Sequence, residues 1–359
     1  MYPFKAFLVK PDPSDGHCYE QTNGGSVVQL GDLPWVAHNL WWQYRYTLDD
    51  EALATATVIL EKSMGYYLRL MELNTTTGKY HLPLAESPEY ASARDTNYDL
   101  ALFRWGVGVL LHIADSLNHT LKSHPSFALW SDVAQNLTPF PTDPGTGLLI
   151  GDGVPLKSGH RHWSHLFSIF PTALLNPGAG AVGTAAEHSP LATFSLDHYA
   201  NENGAAKFNP SIANGFPRVA IATMSGMAGR RDAAYRNISN WFLSTSEANG
   251  GFGGGSFGVN MGPSTMYQEA GGSPCNESPL GAAFAIQTWL LSSWNYGAPE
   301  KVMSQSDVIR LFPAMPTTWS TASIGYERVT AHPTERGFLH LCVCACVMGE
   351  LPAGGRWYL

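Results

Sequence analysis

Across residues 1–33 apolar and polar positions are mixed without a period, and Pro11, Pro13, Asp15-Gly16 and Asn23-Gly-Gly25 mark turns. The pattern changes at Trp35. From there apolar residues recur at helical spacing in long runs broken by polar, Gly or Pro positions. The spacing predicts helices over residues 35–46, 50–73, 96–118 and 127–135, then over 190–199, 217–228, 232–242 and 279–294. Asp49-Asp50-Glu51 sets acidic groups at the start of the second helix, where they complement the macrodipole. Asn74-Thr-Thr-Thr-Gly78 stops it with breaker residues. Strand-like alternation is scarce until the last fifty or so residues, where 308–311, 322–326 and 337–346 read as strands.

Paired helices joined by loops imply helix packed on helix, so the chain is expected to be mainly α. A toroid and a solenoid both fit, but no fixed repeat of 30–45 residues is visible, which favours the toroid. The expected organisation is an irregular segment over 1–33, a helical domain over 34–300 and a small β appendage over 301–359. Within the appendage Cys342, Cys344 and Cys346 alternate along one run, which reads as a strand with thiols on one face. Zinc ligation is the weaker reading, because C-x-C-x-C lacks the usual ligand spacing.

Composition narrows the function. Only 14% of residues are charged, the net charge is −8, and no basic run occurs, so the electrostatic footprint of a nucleic-acid binder is missing. The longest apolar stretch, 339–348, is about ten residues, too short to span a bilayer, and no membrane insertion is expected. The first residues lack the apolar core of a signal peptide. Against this sparse charge stand 11 Trp, 15 Tyr and 16 Phe. Aromatic faces beside neutral hydrogen-bonding groups suit a neutral sugar better than a phosphate, although most single aromatics fill cores.

Three clusters could carry chemistry. His81-Leu-Pro-Leu-Ala-Glu86-Ser-Pro-Glu89-Tyr90 brings two carboxylates into a loop between helices, followed by Arg94-Asp95. Glycoside hydrolysis needs a protonated carboxylic acid for the leaving oxygen, and Glu89 could supply it if Tyr90 and other aromatics desolvate it. Asp95 is expected to cap the helix that follows, and Glu86 to be solvated. The second cluster, Gly159-His160-Arg161-His162-Trp-Ser-His165, is a dense donor array that fits a hydroxyl-binding pocket wall, with Arg161 holding a carboxylate. Core histidines are the alternative, and zinc is disfavoured because the offsets share no helix face. The third, Cys275-Asn-Glu277-Ser-Pro279, puts a carboxylate at a helix N-terminus, where it stays ionised as a general base must.

Taken in order, these motifs resemble glycoside hydrolase family 95, the inverting α-L-fucosidases. The likeness rests on Trp35-Val-Ala-His-Asn-Leu-Trp-Trp-Gln-Tyr44, Ser87-Pro-Glu89, and His160-Arg-His-Trp-Ser-His-Leu166 with Phe170-Pro171. It continues through Glu277-Ser-Pro-Leu-Gly-Ala-Ala and Ile309-Arg-Leu-Phe-Pro-Ala-Met-Pro-Thr-Thr-Trp319. The resemblance implies an (α/α)6 barrel with its site at the mouth, a glycan substrate ending in α-L-fucose or α-L-galactose, and no cofactor or metal. It places the general acid on Glu89 and the base-side carboxylate on Glu277. Trp35, Arg161 and His162 fall on sugar-contacting positions, and His165 is counted with them. An inverting site would hold Glu89 and Glu277 roughly 6.5–9.5 Å apart across one cavity.

Three features depart from the family pattern. No Asn-x-Asn lies upstream of Trp35 to position water, Gly271-Gly-Ser-Pro-Cys275 replaces the usual His-Pro-Pro stretch, and no N-terminal β-sandwich is present. A twelve-helix toroid would also need more helices than the eight or nine legible here. The expectation is therefore an incomplete toroid of low turnover, and the alternative is an inactive carbohydrate-binding relative.

Overall fold

The computed structural model describes residues 10–11, 18–19, 29–175, 190–203, 215–242, 268–269, 273–274, 277–292, 310–311, 314–318, 321–325 and 342–346. Among these the chain is mostly helical. The eight α-helices are α1 Asp32–Thr47, α2 Asp50–Leu70, α3 Asn97–His112 and α4 Phe127–Asn136, then α5 Pro190–Glu202, α6 Gly215–Met227, α7 Arg231–Phe242 and α8 Glu277–Leu290.

Local chemistry sets the helix ends. Pro34 sits in the first turn of α1, where its missing N–H is not needed. Leu48 turns left-handed (φ 56°) and its N–H bonds back to the Tyr44 carbonyl, which closes α1 and aims the chain into α2. Asp49 then caps α2 by accepting the Glu51 N–H at 2.9 Å. The result is a helical pair, α1 on α2, packed on α3.

Helix α3 is central. Most of its residues are buried, and it runs on into a π-helical turn at Ile113–Leu117. The combined segment Asn97–Leu117 is long and apolar enough to cross a membrane by length and composition, but here it is largely packed into the protein core. Its cap is Thr96, whose hydroxyl accepts the Asp99 N–H at 3.1 Å and donates to Asp99 Oδ2 at 2.6 Å. Asp95 is therefore not the cap, as the sequence pattern had suggested. It takes a left-handed conformation (φ 48°), accepts the Leu82 N–H at 2.6 Å and binds His81 Nδ1 at 2.7 Å.

Short hairpins that the coarse periodicity does not reveal connect the helices. They pair Glu72–Asn74 with Lys79–His81, Ala85–Ser87 with Ala91–Ala93, and Thr142–Asp143 with Gly147–Leu148. Helix α2 thus stops at Leu70, three residues before the pattern suggests, because Glu72–Asn74 pairs as a strand. The run Cys342–Cys346 is a strand, antiparallel to Thr321–Gly325, with Cys344 opposite Ser323.

The buried residues form two clusters, a large one spanning α1 to α6 and a smaller one among α6, α7 and α8. In the second, glycines let α6 and α8 approach. A Cβ at Gly226 would lie 2.3 Å from Trp289 Cδ1, and one at Gly281 would lie 2.8 Å from Val219 Cγ2. Trp289 is fully buried and its indole N–H reaches the Ala222 carbonyl at 3.2 Å, so the ring has no room to yield. Gly226→Ala is expected to lower unfolding free energy by about 1–3 kcal/mol, read as a drop in urea midpoint at unchanged m-value.

Candidate active site

The segment Ser87–Tyr90 joins the hairpin strands Ala85–Ser87 and Ala91–Ala93 through a tight turn. Tyr90 N–H closes it on the Ser87 carbonyl at 3.1 Å. Pro88 takes the second position, as its fixed φ favours, and Glu89 the third with φ 56°, the sign a type II turn demands there. Glycine normally fills such a position, so a glutamate in it is a strained residue held by its surroundings. Those surroundings are specific. Ser87 Oγ lies 2.7 Å from Ser164 Oγ, His160 Nε2–H donates to the Pro88 carbonyl at 3.1 Å, and the Tyr90 hydroxyl accepts the Lys157 N–H at 2.8 Å. The hairpin is thus fastened to the segment that carries the histidine cluster.

That segment delivers two donors to Glu89. Arg161 Nε–H donates to Glu89 Oε2 at 2.8 Å, and a second guanidinium N–H reaches the same oxygen. His162 Nε2–H donates to it at 3.0 Å. Desolvation, the largest single influence, pushes the Glu89 carboxyl up. The Arg161 hydrogen bonds and the nearby His162 and Arg161 charges together outweigh it and hold the carboxyl below the usual range. In the free protein Glu89 is therefore an ionised carboxylate, whereas the expected role of an acid calls for desolvation to prevail. Glu86, expected to be solvated, is half-buried, and both burial and the Glu89 charge push its carboxyl up.

Beside this cluster lies a small, partly open cleft. Trp35 from α1, Phe216 from the first turn of α6, Trp163, Phe167 and Pro88 give it an apolar wall, and His162 and Ser164 supply polar groups. The rings brace one another: Trp35 meets Phe167 edge-on at 4.8 Å, and Phe216 lies 4.8 Å from Trp163 and 5.6 Å from His162. Trp35 and His162 thus share one cavity, with the Arg161–Glu89 pair next to it. Phe216, Trp163 and Phe167 were not among the residues singled out from sequence. The Trp and Phe beside the histidine motif could have been suspected from their neighbours, but nothing local marks Phe216.

His165 is placed differently. It is buried against Tyr199 at 5.6 Å, does not line the cleft, and finds no hydrogen-bond partner for either ring nitrogen among the described residues. Burial, with smaller contributions from the other histidines, lowers it to about 3, so it is a neutral histidine packed away from the cleft. His160 is likewise buried, lowered to about 4 chiefly by desolvation, and serves the turn. The three histidines of the cluster engage three different partners, so they do not converge as metal ligands would. Glu277 is the first residue of α8; its side chain lies outside the described residues.

Residues 16–250 match the family model described as the glycosyl hydrolase family 95 catalytic domain. The chain belongs to glycoside hydrolase family 95. Its activity is hydrolysis of a glycosidic bond and its substrate is a glycan, as that catalytic domain implies. No curated protein matches the chain. The family match covers Trp35, Glu89, Arg161, His162 and Phe216, the residues that build the cleft and its rim, and ends before Glu277.

The strain at Glu89 is open to measurement. Glu89→Gly and Glu89→Ala remove the same carboxylate but differ at positive φ, which only glycine adopts freely. The glycine variant is expected to be the more stable by about 1 kcal/mol in urea unfolding. Equal midpoints would show that the turn relaxes without cost.

Proposed function

We propose that this family 95 glycosidase removes a terminal α-L-fucosyl, or related α-L-galactosyl, residue from glycans by an inverting single displacement. The observation that carries the reading is a carboxylate, Glu89, fixed in a strained turn at the edge of an aromatic cleft. The ring faces of Trp35, Trp163, Phe167 and Phe216 along the cleft suit packing against the C–H face of one terminal sugar ring. The cleft's predominantly apolar wall suits the methyl group of a 6-deoxy sugar better than a hydroxymethyl, whose oxygen would lose hydrogen bonds there.

In the mechanism Glu89 protonates the leaving glycosidic oxygen while Glu277 activates a water on the opposite face of the ring. Glu89 stands in a tight turn and Glu277 is the first residue of α8. The helical pairs are read as parts of an (α/α) toroid. Trp35 offers its face to the ring, and Arg161 and His162 bind its hydroxyls. The decisive experiment incubates the chain with an α-1,2-fucosylated oligosaccharide and follows the released sugar by proton NMR. Initial appearance of β-L-fucose supports the reading. Initial α-L-fucose overturns the inverting mechanism. Sugar binding without release overturns the hydrolytic reading and supports a carbohydrate-binding protein.

A further inference from the structure

An acid that protonates a leaving oxygen has to carry its proton when the sugar is in place, yet Glu89 rests as a carboxylate with three N–H donors on one oxygen. The carboxyl has little freedom to retreat, because the Tyr90–Ser87 turn bond and the His160–Pro88 bond fix its backbone. The donors can move more easily. The Arg161 backbone is anchored, its carbonyl accepting the Tyr199 hydroxyl at 3.1 Å, but its side chain is long and 22% exposed. The Glu89 side chain is 49% exposed and that of His162 26%, so a ligand in the cleft can reach the cluster and compete for its N–H groups.

We propose that Arg161 is a positioning residue shared between Glu89 and the sugar, whose hydroxyls draw the guanidinium away on binding and so cause Glu89 to take up one proton from solvent. This rests on the reading of Glu89 as general acid. The step forms one O–H bond on the carboxylate and breaks none in the sugar. The glycosidic bond breaks afterwards, when that proton passes to the leaving oxygen. The other titratable groups facing Glu89 fit the exchange. Glu86, on the adjoining strand, brings no cation to the exchange, its own carboxyl being pushed up by burial and by the Glu89 charge. His160 is held neutral by burial and offers no competing cation, whereas His162, which also donates to Glu89 and lowers it, stands in the cleft wall, where the same sugar hydroxyls can engage it. The arrangement would confine the proton-loaded acid to the state in which a sugar fills the site.

Calorimetric titration of the full chain with L-fucose at pH 6, in buffers of different ionisation enthalpy, tests this. The expected result is net uptake of between about 0.5 and 1 proton per sugar bound. In steady-state kinetics the descending limb of kcat, which reports the bound state, is expected at higher pH than that of kcat/KM, which reports the free enzyme. In Arg161→Met the kcat/KM limb moves up and the gap narrows, a change that mere loss of structure would not produce. No proton uptake together with coincident limbs in the unmodified protein overturns the proposal and leaves the role of Glu89 standing. A Glu89→Gln variant that hydrolyses the oligosaccharide at the unmodified rate overturns that role itself.

Discussion

Glu89→Gln is expected to slow release of L-fucose from an α-1,2-linked oligosaccharide by about 10²- to 10⁴-fold, the range that a positioned general acid contributes. The amide keeps the size of the side chain and can still occupy the strained turn, but it has no proton to give a sugar alkoxide. Leaving-group dependence separates this from a structural defect. An aryl α-L-fucoside whose phenolate leaves readily needs little protonation, so its hydrolysis by Glu89→Gln should fall far less than that of the oligosaccharide. Equal losses on both substrates would show that Glu89 serves binding or folding and not proton transfer. The variant also removes a negative charge from between Arg161 and His162. A modest rise in KM through reorganised donors is compatible with the role; an unchanged oligosaccharide kcat is not.

Acid is expected to unfold this protein early. His38, His160 and His165 are buried, and His112 is half-buried. Desolvation lowers His38, His112 and His160 to about 4 and His165 to about 3, from an ordinary 6.5. Their neutral forms fit specific neighbours: Trp42 donates its indole N–H to His38 Nε2 at 2.9 Å, and Trp105 packs edge-on to the same ring at 4.8 Å. Once unfolded, each histidine takes up a proton as pH falls below about 6.5. The unfolded state then binds more protons than the folded one, and stability drops with falling pH until the folded values are reached near 4. A depression of this size corresponds to roughly 2–3 kcal/mol per histidine at the bottom of the window, so several together rival a whole stability of about 5–15 kcal/mol.

The carboxyls divide between the two directions. Glu89, whose pairing stabilises the fold above its unfolded value, adds to the loss in acid, while Asp32 and Glu86, raised by desolvation, oppose it. Urea unfolding at pH 7 and pH 4.5 should show a large fall in midpoint, and His165→Leu should shrink it. That substitution removes two ring nitrogens without partners among the described residues and leaves nothing to protonate. A midpoint unchanged between the two pH values would mean that these histidines are solvated in the folded protein.

Helix positions were legible in the sequence because they depend on neighbours three and four residues away. The run from Trp35 became α1, the Asp49-Asp50-Glu51 start capped α2 as its chemistry demands, and α3 to α8 begin close to where the periodicity places them. The family was legible for a similar reason, since the motifs that carry it are contiguous stretches. What depends on contacts across the chain was not. Asp95 stood where a cap belongs, but Thr96 took the cap and Asp95 turned to His81, fourteen residues back. His162 and His165 stand in one motif, yet one lines the cleft and the other packs on Tyr199, because the 3₁₀ turn Ser164–Leu166 sends their side chains apart. Phe216 reaches the cleft only because α6 begins there. The resting charge of Glu89 is the clearest case. Residue type and neighbouring aromatics argue for a desolvated, protonated acid, whereas the fold brings a guanidinium and an imidazole to one oxygen from 72 and 73 residues away. Charge–charge interactions depend on distance through space, which local sequence does not encode, and so tertiary structure decided the resting state of the residue proposed as the acid.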